Sequence, residues 1–169
     1  MEFVFQTVYD QKAMTALVKG LRKTLCAKRS WRSRIFATIV VILGVFLIWS
    51  QKTVDIRSIV TACAILVIVF ALLREDHLNG RIAKKRGLPG LEKSVTAFRE
   101  QNYYSITALG ETTFFYENIV ALAETNEFFL ILFSPSHGQV YDKNSLSGGT
   151  EAQFRSFLEQ RTKLTIKKL

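Results

Sequence analysis

The sequence is poor in cysteine, histidine and proline, with two of each in 169 residues. Cys26 and Cys63 cannot build a disulfide framework, and so few thiols suit a reducing compartment. Cys26 lies in a basic segment where acylation would be in place; an idle or buried thiol is the simpler expectation. His77 and His137 are too few for a metal centre, which needs three or four converging ligands. They also leave little to activate a nucleophile. His77 follows Glu75 and Asp76, and His137 sits in the turn Ser134-Pro135-Ser136-His137-Gly138, where a solvated side chain is expected. No Gly-x-Ser-x-Gly, Walker loop, His-Glu-x-x-His or helix-opening Gly-x-Gly-x-x-Gly occurs, and Gly148-Gly149 reads as a turn before a helix. No catalytic residue, metal or cofactor is therefore expected. The opening MEFVFQTVYD has an acid at position two and no basic n-region, so no cleavable signal peptide is expected either.

Charge is the next thing missing. Between Ile35 and Leu73 only Lys52, Asp55 and Arg57 are charged. Two uninterrupted apolar runs result, Ile35–Ser50 and Ile59–Leu73. With their flanks, Trp31–Ser50 and Val54–Leu73, each is about 20 residues long and spans roughly 30 Å as a helix. A chain this short has too little else to cover two helices that are apolar on every face. A transmembrane helical hairpin is the expectation. Neither run holds a carboxylate or histidine that would anchor a proton or ion path.

The missing charge is gathered at the flanks. The net charge is +9 and the pI about 9.8. Lys19, Arg22, Lys23, Lys28, Arg29, Arg32 and Arg34 lead into the first run, and Arg74, Arg81, Lys84, Lys85 and Arg86 follow the second. The connection QKTVD is expected to be a tight turn, and Lys52, Asp55 and Arg57 sum to only +1. From that asymmetry both termini are expected in the cytoplasm and the chain in the inner (cytoplasmic) membrane as a multi-pass protein. The residues expected at the membrane interface are Trp31, Trp49, Lys28, Arg29, Arg32, Arg34, Arg74, Lys84, Lys85 and Arg86, the indoles at head-group level and the cations toward anionic inner-leaflet lipids. Nucleic acid is not an expected partner, since no zinc-finger, RNA-recognition or helix-turn-helix pattern accompanies the charge.

Outside the spans the periodicity changes. Glu2–Tyr9 is aromatic and β-branched and reads as a strand. Asp10 stands where an N-cap should, and Met14, Leu17, Val18, Leu21 and Leu25 follow at helical spacing on one face. That stripe suits either a membrane surface or the domain that follows. Packing is favoured, because the strand before it needs a sheet to join. Arg74–Arg86 is expected to continue the second span as a helix, and Gly87-Leu88-Pro89-Gly90 to stop it. Strands follow near Lys93–Glu100, Tyr103–Leu109, Glu111–Tyr116, Ile119–Thr125, Phe128–Phe133 and Gln139–Asp142, separated by turn-forming residues. Such a meander is expected to curl into a barrel or half-barrel. Thr150–Arg161 returns to helix, with Phe154, Phe157 and Leu158 on one face and Thr150 and Gln153 forming a capping box. It would close one end of the barrel, and Leu164–Ile166 would add a short last strand. Glu124, in an otherwise apolar strand, is expected to face outward; facing inward it would need a partner such as Arg99.

The stretch Tyr116-Glu117-Asn118-Ile119-Val120-Ala121-Leu122-Ala123-Glu124-Thr125, then Phe128-Phe129-Leu130-Ile131-Leu132-Phe133, resembles the C-terminal domain of YcxB-like bacterial membrane proteins. Gln139-Val140-Tyr141-Asp142-Lys143, Gly149 and Phe154-Arg155-Ser156-Phe157-Leu158 continue the likeness, as does the order of strand, helix, two spans and β domain. The resemblance implies an α+β membrane protein whose cytoplasmic, pleckstrin-homology-like antiparallel β domain is closed by a C-terminal helix. The loops that would hold a phosphoinositide in a eukaryotic pleckstrin-homology domain, Gln101-Asn102 and Gly110, carry no lysine or arginine, so that site does not transfer.

Four segments are expected: a strand and basic helix at 1–30 packing on the β domain, the hairpin at 31–74, a juxtamembrane helix and linker at 75–90, and the β domain at 91–169. The expected function is non-enzymatic, a protein-interaction or scaffolding module with a protein partner, held on the lipid bilayer. Immunity against a bacterial toxin and sensing of anionic lipid or membrane state are the alternatives.

Overall fold

In a computed structural model the protein is described at residues 2–50, 55–87 and 89–169. The tight turn expected at QKTVD and the Leu88 position of the expected stop lie largely or wholly outside those residues. Among the described residues eight strands form two four-stranded sheets. The first joins β1 (Phe3–Val8), β2 (Lys93–Phe98), β3 (Asn102–Thr107) and β4 (Gly110–Phe115) in that order, all antiparallel. Thus the N-terminal strand pairs with one that lies beyond both apolar helices, Phe3 opposite Phe98 and Val8 opposite Lys93. A short 3₁₀ turn at Tyr116–Asn118 carries the chain into the second sheet. There β5 (Ala121–Glu124), β6 (Phe128–Ser134) and β7 (His137–Asp142) form a meander, and β8 (Ile166–Lys168) adds to β5 in parallel.

Of the barrel or half-barrel expected, the closed barrel is not formed, because the strands divide between two stacked sheets. The last strand begins two residues later than expected, because Leu164 packs instead against the core between the sheets. That core is aromatic: Phe5 is fully buried and lies against Phe98, Phe129, Tyr141 and Phe154 at centroid distances of 4.7–6.3 Å. Helix α5 (Glu151–Thr162) closes this end with Phe154 and Leu158. Its first turn is fixed by the expected capping box: Thr150 Oγ1 accepts from the Gln153 N–H at 3.3 Å, and Gln153 Oε1 accepts from the Thr150 N–H at 2.9 Å.

Why β6 reads FFLILF without alternation is now plain. Phe129 and Ile131 face the first sheet, while Phe128, Leu130 and Leu132 face helix α1 (Gln11–Thr24), so both faces are dry. Asp10 caps that helix, its Oδ1 accepting from the Ala13 N–H at 2.7 Å. Leu17 carries the apolar stripe onto the sheet, and Gly20 allows close contact because a Cβ there would meet the Leu130 side chain.

Helices α2 (Ala27–Ser50) and α3 (Ile56–Leu73) are long and apolar enough to cross a membrane. Helix α2 runs unbroken past residue 30, so the basic cluster belongs to the same helix as the first apolar run. Their side chains point outward. Gly44 and Ser58 are the buried residues the two helices contribute, whereas Phe36 is 70% exposed and Leu66 69%. The core helix of a water-soluble fold would bury its apolar side chains, and these do not. Gly44 is where the pair meets, facing Ile65 and Thr61 of α3.

The expectation of one helix continuing past Arg74 is corrected. The chain breaks there (φ −104°, ψ 10°) and restarts as α4 (Glu75–Lys85). No glycine or proline marks the break; tertiary contact makes it, because α4 turns aside to cross α1 with Gly80 against the backbone of Thr15.

Candidate functional site: the junction of hairpin and sheets

Three helices converge where the apolar pair meets the sheet domain. Arg22 of α1 reaches Asp76 in the first turn of α4 through two parallel hydrogen bonds, Nε to Oδ1 and Nη2 to Oδ2, both 2.6 Å. Beside it Arg34 of α2 donates from Nη2 to Glu75 Oε2 at 3.1 Å. The Arg22 side chain is only 12% exposed, so the pair is partly desolvated and the Asp76 carboxylate holds the guanidinium above its ordinary pKa. Two acids in the first turn also suit the positive end of the α4 dipole. The arrangement fixes α4 to α1 and α2, so the sheet domain is held to the helical pair by more than its linkers. Sequence reading placed Arg22 and Arg34 among the flanking cations and missed this latch, whose members lie 54 and 41 residues apart. The available signal was Glu75-Asp76, the lone acids in a basic stretch.

The expected interface residues spread over two places. Lys28, Arg29, Trp31 and Arg32 are exposed along the first turns of α2, and Arg74 is exposed at the end of α3, its guanidinium 5.9 Å from the Phe70 ring centroid. Antiparallel helices bring those two ends together. Trp49 is 85% exposed at the opposite end of α2. Lys84, Lys85 and Arg86 lie at the far end of α4, exposed and separate from the first group.

Within the sheets one expectation is overturned. Glu124 faces inward and is 3% exposed. Its Oε2 accepts from Lys143 Nζ at 3.1 Å and from Arg155 Nη2 at 2.9 Å, while Arg99 pairs with Glu2 instead. Burial alone would raise the Glu124 pKa, but the two cationic donors outweigh it and hold the carboxyl below its usual range. His137 is exposed, its Nδ1 within 2.9 Å of Ser136 Oγ and 3.1 Å of Ser134 Oγ. No group of three or more metal-ligating side chains occurs among the described residues.

Residues 98–158 match the family described as YcxB-like protein. The match runs from Phe98 in β2 to Leu158 in α5 and agrees with the resemblance drawn above over those residues. It takes in β3 to β7 and the Glu124 network but not β1, β8, most of β2 or any of α1 to α4, so the likeness in the order of the N-terminal elements lies outside it. No curated protein and no solved structure matches the chain.

Proposed function

We propose that this protein is a non-enzymatic, membrane-anchored interaction module. Helices α2 and α3 cross the cytoplasmic membrane as a hairpin, with both termini and the sheet domain on the cytoplasmic side. Support for the anchor comes from the outward-facing apolar side chains of both helices and from the exposed cations at their shared end. The YcxB-like residues then form a pleckstrin-homology-like domain, two sheets closed at one end by α5.

The observation that carries the interaction reading is the free edge of the first sheet. Strand β1 has its outer edge partly paired, Val4 and Ser147 exchanging both backbone hydrogen bonds at 2.9 and 3.0 Å. Among the described residues β4 has no backbone partner beyond β3. Of the devices that usually blunt an edge it carries one charged residue, Glu111, and no lysine or proline. Next to it the outer face of the sheet exposes Val95 and Ile106, a cross-strand pair. An extended segment of a partner protein would add to such an edge as a fifth strand.

The test has two arms. Cysteine introduced at Ser50 should react with an impermeant thiol reagent added outside intact cells, and cysteine at exposed Lys163 should react only after lysis. Purification in mild detergent from the native host should return a stoichiometric protein that is lost with Thr113→Pro, which blocks pairing at the exposed edge. A toxin as that protein would move the reading to immunity. Retention by anionic lipid alone, with no protein, would move it to membrane sensing.

A further inference from the structure

The inward face of the first sheet is divided along its strands. One cross-strand row reads Phe3, Phe98, Tyr103 and Phe114, and the next reads Phe5, Thr96, Ser105 and Thr112. At the far end Thr7 stands opposite Ser94. The aromatic end is sealed by α5. The hydroxyl end is not sealed, and a cavity of about 440 Å³ opens there between the two sheets and helices α1 and α4.

We propose that this cavity is a binding site for a neutral, single-chain amphiphile with a hydroxyl-bearing head, of the monoacylglycerol class. Its walls are apolar, with Met14, Leu17, Leu91 and Phe114 lining them. Its floor offers donors that the fold leaves unspent. Gln139 Oε1 accepts from the Tyr103 and Tyr141 hydroxyls at 2.9 and 2.6 Å, which turns the amide nitrogen away from them with no partner among the described residues. Ser105 Oγ accepts from Thr96 at 3.0 Å and keeps its own proton free, and the Thr112 hydroxyl is unpaired. Thr107 is spent, since it donates to the Gly110 carbonyl. A ligand placing hydroxyl or carbonyl oxygens on this floor would satisfy three donors while its chain lay along the walls.

Charge narrows the class. No ionisable carboxylate or cation stands on the floor, and the rim holds one of each sign, Lys84 and Glu92. An ionised head would be desolvated there without a counter-charge. The volume lies low in the range of about 300–1,000 Å³ typical of small-ligand sites, which suits one chain rather than two. Position supplies the source, and here the inference rests on the membrane reading. One wall is α4, which follows α3 directly. The other begins at Gly138, three residues after Pro135, whose carbonyl receives the Cys26 thiol at 3.7 Å beside the start of α2. The cavity is thus framed by the segments leading out of both apolar helices.

A diazirine-bearing monoacylglycerol, incorporated in nanodiscs of neutral phospholipid with the full chain, tests the site by peptide mapping after irradiation. Saturable labelling is expected on Ser105–Phe114 and Gly138-Gln139, displaced by unlabelled monoacylglycerol and not by phosphatidylglycerol. Thr112→Trp on the exposed edge strand should cut that labelling about tenfold, and Lys84→Glu should leave it within about twofold. Met14→Gln serves in place of Thr112→Trp if the latter fails to fold. Labelling that is unsaturable, indifferent to the cavity variants or lost with Lys84→Glu would overturn the proposal. Labelling of α2 and α3 reports separately on the anchor: its presence without cavity labelling sinks the ligand site alone, and its absence sinks the membrane reading.

Discussion

Phe46 in α2 and Phe154 in α5 are the same side chain in opposite settings. Phe46 is 60% exposed on a helix with almost no buried residue, whereas Phe154 is fully buried among Phe3, Phe5, Phe98 and Phe129. The helical pair gains little from water exclusion within this chain, while the sheet domain is organised around it. Apolar side chains in the two regions are therefore stabilised by different surroundings, one set by its own core and the other by whatever solvent surrounds the helices. Truncation separates them most sharply. Phe154→Ala is expected to destabilise the sheet domain by about 3–5 kcal/mol, and Phe46→Ala to change it by less than about 0.5 kcal/mol. Denaturant unfolding followed by aromatic near-UV signal measures both, and comparable losses would mean that the two regions share one core.

Glycine gives a second, smaller contrast. A Cβ on Gly80 would come within 2.8 Å of the Thr15 backbone nitrogen, which cannot move aside without shifting α1. One on Gly44 would meet the tip of the Ile65 side chain at 2.9 Å, which can rotate. Gly80→Ala is thus expected to cost about 1–3 kcal/mol and Gly44→Ala less than about 1. Weakened α1–α4 packing should also expose α4 to limited proteolysis near Lys84–Arg86. An α4 that remained protected in Gly80→Ala would show that the Arg22–Asp76 pair holds the junction without the close crossing.

The comparison also explains what could be read in the sequence. Both apolar helices were legible from composition, because two long runs almost free of charge stand apart from the basic segments around them. Most strands were placed to within two residues, since inward and outward faces alternate and turn residues separate them. The caps of α1 and α5 were legible because Asp10, Thr150 and Gln153 act on their own first turns. Contacts made over distance were not. Strand periodicity allows Glu124 either face, and its donors lie 19 and 31 residues away. The break at Arg74 has no local cause and depends on where α1 lies. The hydroxyl floor was half visible: Ser94, Thr96, Ser105, Thr107 and Thr112 occupy alternate positions where a closed core would carry valine or isoleucine. Only the register of two antiparallel pairings shows that they form one surface.

Acid offers the mildest way to separate the two regions, because only the sheet domain buries a paired charge. The Glu124 carboxyl has a lower pKa folded than unfolded, so the native state binds fewer protons than the unfolded chain as pH drops. Its contribution is complete above the unfolded carboxylate range, near about 4.3, and is lost as pH falls through the lower folded value. Protonation also leaves Lys143, whose side chain is 7% exposed, with Glu151 as its remaining acidic partner. Below about pH 4 the near-UV signal of the aromatic core should therefore melt at progressively lower temperature. The far-UV helical signal of the detergent-solubilised helices should persist, since their apolar side chains have nothing to titrate. Glu124→Gln should be less stable at neutral pH and show a shallower acid dependence. An unchanged slope in that variant would move the acid sensitivity to the exposed carboxylates and leave the buried pair a packing feature with little electrostatic weight.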